Sequence, residues 1–232
     1  MLHLPYRRHL TYFLLAIAVG LAAWRMAGAE GQSVTLPDPV VDASPASAIT
    51  PQVAVIAGGC FWGIQGVYQH VNGVISATSG YAGGTAATAD YHTVSSGSTG
   101  HAESVKIVFD PAKVSYGQLL KVFFSVAHDP TQLNRQGPDT GTQYRSAIFY
   151  TDDEQKRIAE AYVRQLQSAK TFRRDIVTQI TPLPAFYPAE SYHQDYLKLH
   201  PMEPYIVFND LPKVASLKST FPRLYKVDFS KP

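Results

Sequence analysis

Between Val53 and His70 the sequence changes period abruptly, and that change limits the folds open to it. Val53 to Ala57 is a short apolar run that fits a buried strand. Gly58-Gly59 breaks it, and Ile64, Val67 and Tyr68 then recur at helical spacing over the segment from Phe61 to His70. A strand and the start of a helix therefore meet across a glycine pair. Cys60, the only cysteine in the chain, stands at the junction.

The rest of the chain keeps mixing the two periods. Val74 to Thr78 reads as a second strand, and Ser104 to Phe109 as a third, with Val105, Ile107 and Phe109 on one face. Ser115 caps a helix whose apolar face includes Leu119, Val122, Phe123 and Val126. Ser146 to Tyr150 reads as a strand, and Asp152 to Lys170 as a helix with Ile158, Tyr162 and Leu166 inward. Ile176 to Thr181 is read as a strand and Ala189 to His200 as helical. Two long polar stretches, 79–101 and 128–145, are read as structured loops, the usual place for functional groups. Strands and helices alternate without a strict βαβ rhythm, so the expected class is α+β.

Composition sets the remaining bounds. Of 232 residues, 45% are hydrophobic and 16% charged, which suits one folded domain rather than a disordered chain. The formal net charge of +2 lacks the basic footprint of a nucleic-acid binder, and no nucleic-acid partner is expected. The N-terminus orders a basic pair (Arg7, Arg8), an apolar run (Leu10 to Trp24) and the small-residue segment Ala27-Gly28-Ala29. That order fits a secretory signal peptide over 1–29, with cleavage after Ala29 and an exported, periplasmic or secreted protein. The alternative is an uncleaved anchor, for which the apolar run is short of the ~20 residues that a span needs. A twin-arginine address fits the flanking residues poorly. Residues 30–51, with Pro37, Pro39, Pro45 and Pro51, read as a linker. A catalytic domain is expected over 52–208 and a C-terminal extension over 209–232.

An exported chain with one cysteine has no internal disulfide, so Cys60 is either buried and inert or kept for its reactivity. Its place at a helix start supplies unpaired N–H groups and positive potential, and both lower a thiol's pKa. Position alone leaves the two readings level. Phe61 and Trp62 either cover the core or wall an apolar pocket beside the sulfur. Gly100-His101-Ala102-Glu103 puts a carboxylate at the start of an apolar strand, where partial burial suits a general acid, although an ordinary exposed Glu fits as well. In the polar loop Gln136 to Arg145, Asp139 and Tyr144 are hydrogen-bonding candidates against a background of turn chemistry at Gly137 and Gly141. His92, His101, His193 and Cys60 show no standard zinc spacing, so no metal is expected.

Six segments change that balance. Gly58-Gly59-Cys60-Phe61-Trp62-Gly63 resembles the A-type methionine sulfoxide reductases, as do Ser79-Gly80-Tyr81-Ala82-Gly83-Gly84, Tyr91 with Ser96-Gly97, Thr99-Gly100-His101-Ala102-Glu103, His128-Asp129-Pro130 and Gly141-Thr142-Gln143-Tyr144-Arg145-Ser146. They occur in the family's order across about 53–208. The resemblance implies a two-layer α/β sandwich with a mainly antiparallel mixed sheet. It assigns Cys60 as the nucleophile on the sulfoxide sulfur. Glu103 protonates the sulfoxide oxygen and holds it with Tyr91 and Tyr144. Phe61 and Trp62 receive the methyl group, and Asp139 organises the site. It also implies action on the S epimer, protein-bound and free, and a sulfenic acid left on Cys60.

Many relatives carry further cysteines near the C-terminus. Here the stretch from Tyr205 to Pro232 has none, which resembles the single-cysteine branch. No bound cofactor is expected. Regeneration falls to an external thiol such as thioredoxin, glutaredoxin or glutathione, the remaining partners are oxidised proteins or peptides as substrates, and the chain is expected to be a monomer. Two other functions stay in view. A thiol peroxidase would need no methyl-sized aromatic pocket. A non-catalytic binder of oxidised methionine would keep its binding after Cys60→Ser.

Overall fold

The computed structural model describes residues 36–43 and 50–227. Among these residues, eight strands and six α-helices follow in order. They are β1 (Gln52–Gly58), α1 (Phe61–Gln69), β2 (Val74–Ala82), α2 (Tyr91–Val94), β3 (Ala102–Phe109), α3 (Tyr116–Val122), β4 (Arg135–Gln136), β5 (Asp139–Thr140), β6 (Ser146–Tyr150), α4 (Asp153–Ser168), β7 (Gln179–Pro182), β8 (Phe186–Pro188), α5 (Tyr196–Leu199) and α6 (Leu211–Thr220). Six strands form one sheet in the order β7-β6-β1-β3-β2-β8, and β4 and β5 form a separate two-stranded ribbon. In the large sheet only β6 and β7 run parallel. The mainly antiparallel mixed sheet is therefore as expected.

Alternation along β1 shows how the layers divide. Ala54 and Ile56 belong with Val105, Ile107, Phe109 and Ile148 to the large core under the helices. Val55 and Ala57 point the other way, into a small cluster with Ala82, Ala102, Ala147 and Phe149 that Leu183 and Phe186 help to cover. A strand presents successive side chains to opposite faces, and both faces of β1 are buried, which is why it reads as a continuous apolar run.

Helix α1 is buried on almost every side. Its Ile64, Val67 and Tyr68 are all within 1% of complete burial, and the Tyr68 hydroxyl donates to the Leu119 carbonyl at 2.8 Å. Ser115 starts α3 through a reciprocal capping box with Gln118, as its place in the sequence suggests. Asp152 caps α4 by accepting from the Gln155 N–H at 2.8 Å, and Ile158, Tyr162 and Leu166 face inward.

Several expectations are corrected. Residues 36–43 are docked rather than a free linker. Leu36 is 1% exposed, the Tyr162 hydroxyl donates to the Pro37 carbonyl at 2.8 Å, and Asp42 accepts from the Gly117 N–H at 2.8 Å. These contacts are irregular backbone on helix surface, so no period announces them. The stretch from 209 is no appendage either. Helix α6 buries Val214 and Leu217, and the chain returns to α1, where the Lys226 N–H donates to the His70 carbonyl at 2.9 Å. Residues 79–82 continue β2 instead of opening a loop, and β7 begins at Gln179. The helix expected over 189–200 is two short pieces, a 3-10 turn at Ser191–His193 and α5, separated by Asp195 at a left-handed φ of 57°. The expected signal segment, 1–29, lies outside the described residues. Among those residues no helix is long and apolar enough to cross a membrane.

Candidate active site

The turn between β1 and α1 works only with glycine. Gly59 has a φ of +94°, and a Cβ there would lie 2.6 Å from the Gln136 side chain. The close approach seats the ribbon strand β4 against the turn. Cys60 follows in an extended conformation (φ −52°, ψ 125°) as the residue before the first turn of α1. Its sulfur is nearly covered, with the residue 8% exposed.

Glu103 reaches this point from the start of β3. One of its carboxylate oxygens accepts the Phe61 N–H at 3.0 Å, so the helix start that carries the thiol also orients the acid. Glu103 is 3% exposed. Burial pushes its pKa up to about 8 against the Phe61 bond, and the nearby Asp139 and Asp210 charges add to the rise. A carboxyl group in that environment keeps its proton near neutral pH and can donate it.

Tyr91 and Tyr144 both lie within electrostatic reach of this acid. Burial raises the Tyr91 pKa, and the charges of Glu103 and Cys60 reinforce the rise. Tyr144 is raised by burial and then by Glu103 and Asp139. Both phenols thus stay protonated and can donate a hydrogen bond. Tyr91 sits at the start of α2, where its backbone N–H donates to Glu190 at 2.9 Å. The other oxygen of Glu190 accepts from the Tyr81 hydroxyl at 2.8 Å. Asp139, on β5, accepts a short hydrogen bond from the Tyr205 hydroxyl.

The aromatic pair divides in two. Phe61 is 1% exposed and lies among Tyr81 and the His193 ring, at centroid distances of 5.9 and 5.0 Å. Trp62 is half-buried. It stacks on Tyr196 at 3.8 Å, meets Tyr205 edge-on at 5.9 Å, and donates its indole N–H to His193 Nδ1 at 3.2 Å. Accepting at Nδ1 leaves the His193 proton on Nε2.

One expectation is reversed. The helix start was expected to lower the Cys60 pKa, yet burial drives it well above the ordinary thiol value, helped by the charges of Glu103 and Asp210. The Trp62 backbone N–H and the Lys213 cation oppose the rise without overcoming it. One N–H at the start of a short helix does not balance burial plus two carboxylates. The surroundings of Cys60 therefore favour the thiol over the thiolate.

All seven residues singled out in the sequence, Cys60, Phe61, Trp62, Tyr91, Glu103, Asp139 and Tyr144, converge on the start of α1. Sequence reasoning missed Tyr205, Glu190, Asp210 and Lys213, and weighed His193 only as a metal ligand. Asp210 is fully buried, with one oxygen 3.0 Å from the Lys213 ammonium. The short apolar run Ile206-Val207-Phe208 hinted that this stretch packs inward, but nothing in the sequence marked Asp210 as belonging beside a residue so distant in the chain.

Known proteins resemble this chain in sequence and fold. The family model for peptide methionine sulfoxide reductase matches residues 52–224. "Peptide methionine sulfoxide reductase MsrA 2" of Mesorhizobium japonicum is 63% identical over 174 residues, covering 75% of this chain and 89% of the relative. Its namesake in Synechocystis is 53% identical over 191 residues, covering 82% and 89%. Among solved structures, methionine sulfoxide reductase A of Corynebacterium diphtheriae superposes with a TM-score of 0.56 at 34% identity, covering 75% of this chain and 90% of that one. The reduced form of Mxr1 from Saccharomyces cerevisiae gives 0.60 at 32%, covering 72% and 93%. With the match spanning most of the domain, including the α6 region beyond 208, the chain belongs to the peptide methionine sulfoxide reductase family, A type.

Proposed function

We propose that this enzyme reduces the S epimer of methionine sulfoxide, in proteins and as the free amino acid, through a sulfenic acid on Cys60 that an external thiol resolves. The observation that carries the reading is the Phe61 N–H shared between the thiol's helix and Glu103. It holds a protonated acid next to a nucleophile in a site largely closed to water. Sulfoxide oxygen leaves sulfur readily only when protonated, so the two groups must act together.

In this scheme the sulfoxide oxygen lies between Glu103, Tyr91 and Tyr144, and Trp62 and Phe61 bound the space for the methyl group. Glu103 gives its proton to the oxygen. The Cys60 sulfur attacks the sulfoxide sulfur, and its own proton returns to the Glu103 carboxylate. The S–O bond of the substrate breaks as the oxygen passes to Cys60. Methionine leaves, Cys60 is oxidised to the sulfenic acid, and the sulfoxide has gained two electrons. With one cysteine in the chain, the sulfenic acid has no internal partner. A thiol condenses with it, releasing water and forming a mixed disulfide, and a second thiol exchanges that disulfide and restores the enzyme. Thioredoxin, glutaredoxin and glutathione all offer the required thiol chemistry. The basic, apolar and small-residue order of 1–29 supports export, and the mature chain then begins near Glu30, which N-terminal sequencing of protein from its host reads directly.

The test supplies both epimers with dithiothreitol and follows methionine by chromatography. The S epimer is consumed and the R epimer is not. Without thiol, the enzyme yields one equivalent of methionine and then stops, with intact mass showing the sulfenic acid; a small thiol added afterwards converts it to the mixed disulfide. Cys60→Ser abolishes release. Turnover by that variant, or several equivalents without reductant, overturns the scheme.

A further inference from the structure

Asp210 is the least expected group near the thiol. It ends a π turn, Ile206–Asp210, just before α6 begins at Leu211 with Pro212 in its first turn, and π turns often mark functional positions. Its carboxylate is completely buried. Lys213, one turn along, meets one oxygen at 3.0 Å, and the other oxygen has no hydrogen-bond partner among the described residues. A buried carboxylate with one oxygen unpaired among the described residues carries a desolvation cost.

The arrangement points at Cys60. A Cβ on Gly63, in the first turn of α1, would lie 2.1 Å from the Asp210 oxygen and 2.8 Å from the Lys213 ammonium. The pair therefore presses on the turn that begins with the nucleophile, and only a glycine leaves room for it. No acidic side chain of α1 itself stands in that first turn. Around the sulfur, Glu103 comes from β3, Asp139 from β5, Tyr91 from α2, Tyr144 from the turn before β6, and Tyr205 from the segment before α6. His193 lies against Phe61, and His128 is buried against Ser146 at 2.7 Å. Burial lowers both histidines, His128 to about 4, so both are neutral at pH 7. Among the described groups that act on Cys60, the one cation is Lys213.

We propose that Lys213, held against the first turn of α1 by Asp210, is a positioning residue for the Cys60 nucleophile. It supplies the positive charge that the sulfur needs when it gives up its proton, and Asp210 keeps that charge beside the thiol instead of letting the flexible side chain swing to solvent. This rests on Cys60 being the nucleophile of the proposed reaction, but the test reads the thiol itself.

A single cysteine makes the test clean. Iodoacetamide alkylation of Cys60, followed by intact mass at a series of pH values, reports the thiolate fraction without any reductase step. Lys213→Met slows alkylation at pH 8 about tenfold, in keeping with removal of an opposite charge, while Lys213→Arg restores the rate and its pH dependence. The second comparison uses Asp210→Asn against Asp210→Asn/Lys213→Met. Both are free of an uncompensated buried carboxylate and keep the fold even if Lys213→Met alone does not. With the anchor gone, removal of Lys213 changes the alkylation rate far less than in the wild type. The reductase single-turnover rate at pH 8 falls with the alkylation rate. An unchanged alkylation profile in folded Lys213→Met overturns the role of Lys213. Equal effects of removing Lys213 with and without Asp210 overturn the anchoring role. Persistent reductase turnover by Cys60→Ser would instead refute the proposed reaction and leave these alkylation results standing.

Discussion

His101 and Glu103 are two residues apart, both nearly fully buried, and their surroundings could hardly differ more. His101 has both ring nitrogens occupied. One accepts from the Gly84 N–H at 3.2 Å, and the other meets the Thr85 carbonyl at 3.0 Å. Beside it, Arg145 spreads its guanidinium over the carbonyls of Gly100, His101 and Thr142, at 2.8 to 3.0 Å, and its Nε donates to Gln179 at 3.1 Å. This clamp ties the 83–85 and 99–101 segments to the turn that carries Tyr144. Glu103 has one N–H partner, two other carboxylates nearby and a raised pKa. The contrast separates polar groups that hold the structure from polar groups kept for chemistry. The first are saturated with hydrogen bonds. The second retain capacity that a substrate can use, at a cost in stability.

The largest expected effect tests the unsaturated side. Glu103→Gln keeps the size and can still accept the Phe61 N–H, but has no proton to give. The reductase step falls by about 10²- to 10⁴-fold in single-turnover measurements. In the wild type that step declines as pH rises through about 8, where Glu103 loses its proton. In the variant this limb disappears. Stability moves the opposite way. The folded-state pKa lies above the ordinary value of 4.5, so between 4.5 and about 8 the folded chain binds more protons than the unfolded chain, and stability falls as pH rises through that window. Glu103→Gln removes this loss, so its melting temperature exceeds the wild type's at pH 8.5, and the gap narrows towards pH 4.5. A variant both slow and no more stable at high pH would place Glu103 with His101, as a structural group.

The complementary change tests the saturated side. Arg145→Met strips partners from three carbonyls at once and lowers stability by about 2–4 kcal/mol by denaturant titration. The single-turnover rate of the folded variant changes far less than that of Glu103→Gln. A rate loss of the same size would show that the clamp acts on the chemistry as well as on the loops.

How much of this contrast the sequence discloses depends on distance along the chain. Cys60, Phe61 and Trp62 are contiguous, and each of Tyr91, Glu103, Asp139 and Tyr144 sits within a short recognisable segment, so all seven could be named in advance. Asp210 and Lys213 act across about 150 residues, and neither charge has a local reason to be buried. Strands were legible where both faces are apolar, as in β1, and lost where small polar residues continue the sheet, as at Ser79-Gly80. There β2 is paired with β3 on one side and with β8 on the other, and backbone hydrogen bonds, rather than side chains, define the strand. The thiol's pKa was misread for a related reason. A helix start is visible in sequence, whereas the burial and the two carboxylates that outweigh it are products of the tertiary fold.

The smallest expected effect concerns a saturated group far from the chemistry. Asp42 accepts from the Gly117 N–H at 2.8 Å and from the Ser115 hydroxyl at 2.5 Å, so it adds a second acceptor to the start of α3, which already has its own capping box. Because Ser115 still caps the helix after Asp42→Ala, only the added bonds are lost, and the expected cost is about 1 kcal/mol. Nothing in the site changes, so reductase rate and Cys60 alkylation stay at wild-type values. Leu36→Ala is the control for the same segment. Its side chain is 1% exposed, and removing it costs about 2 kcal/mol or more through lost burial. If residues 36–43 only rest on the surface, both variants melt with the wild type. A loss in Leu36→Ala larger than in Asp42→Ala shows instead that this irregular segment is held chiefly by one buried side chain, with its polar contacts setting the register on α3.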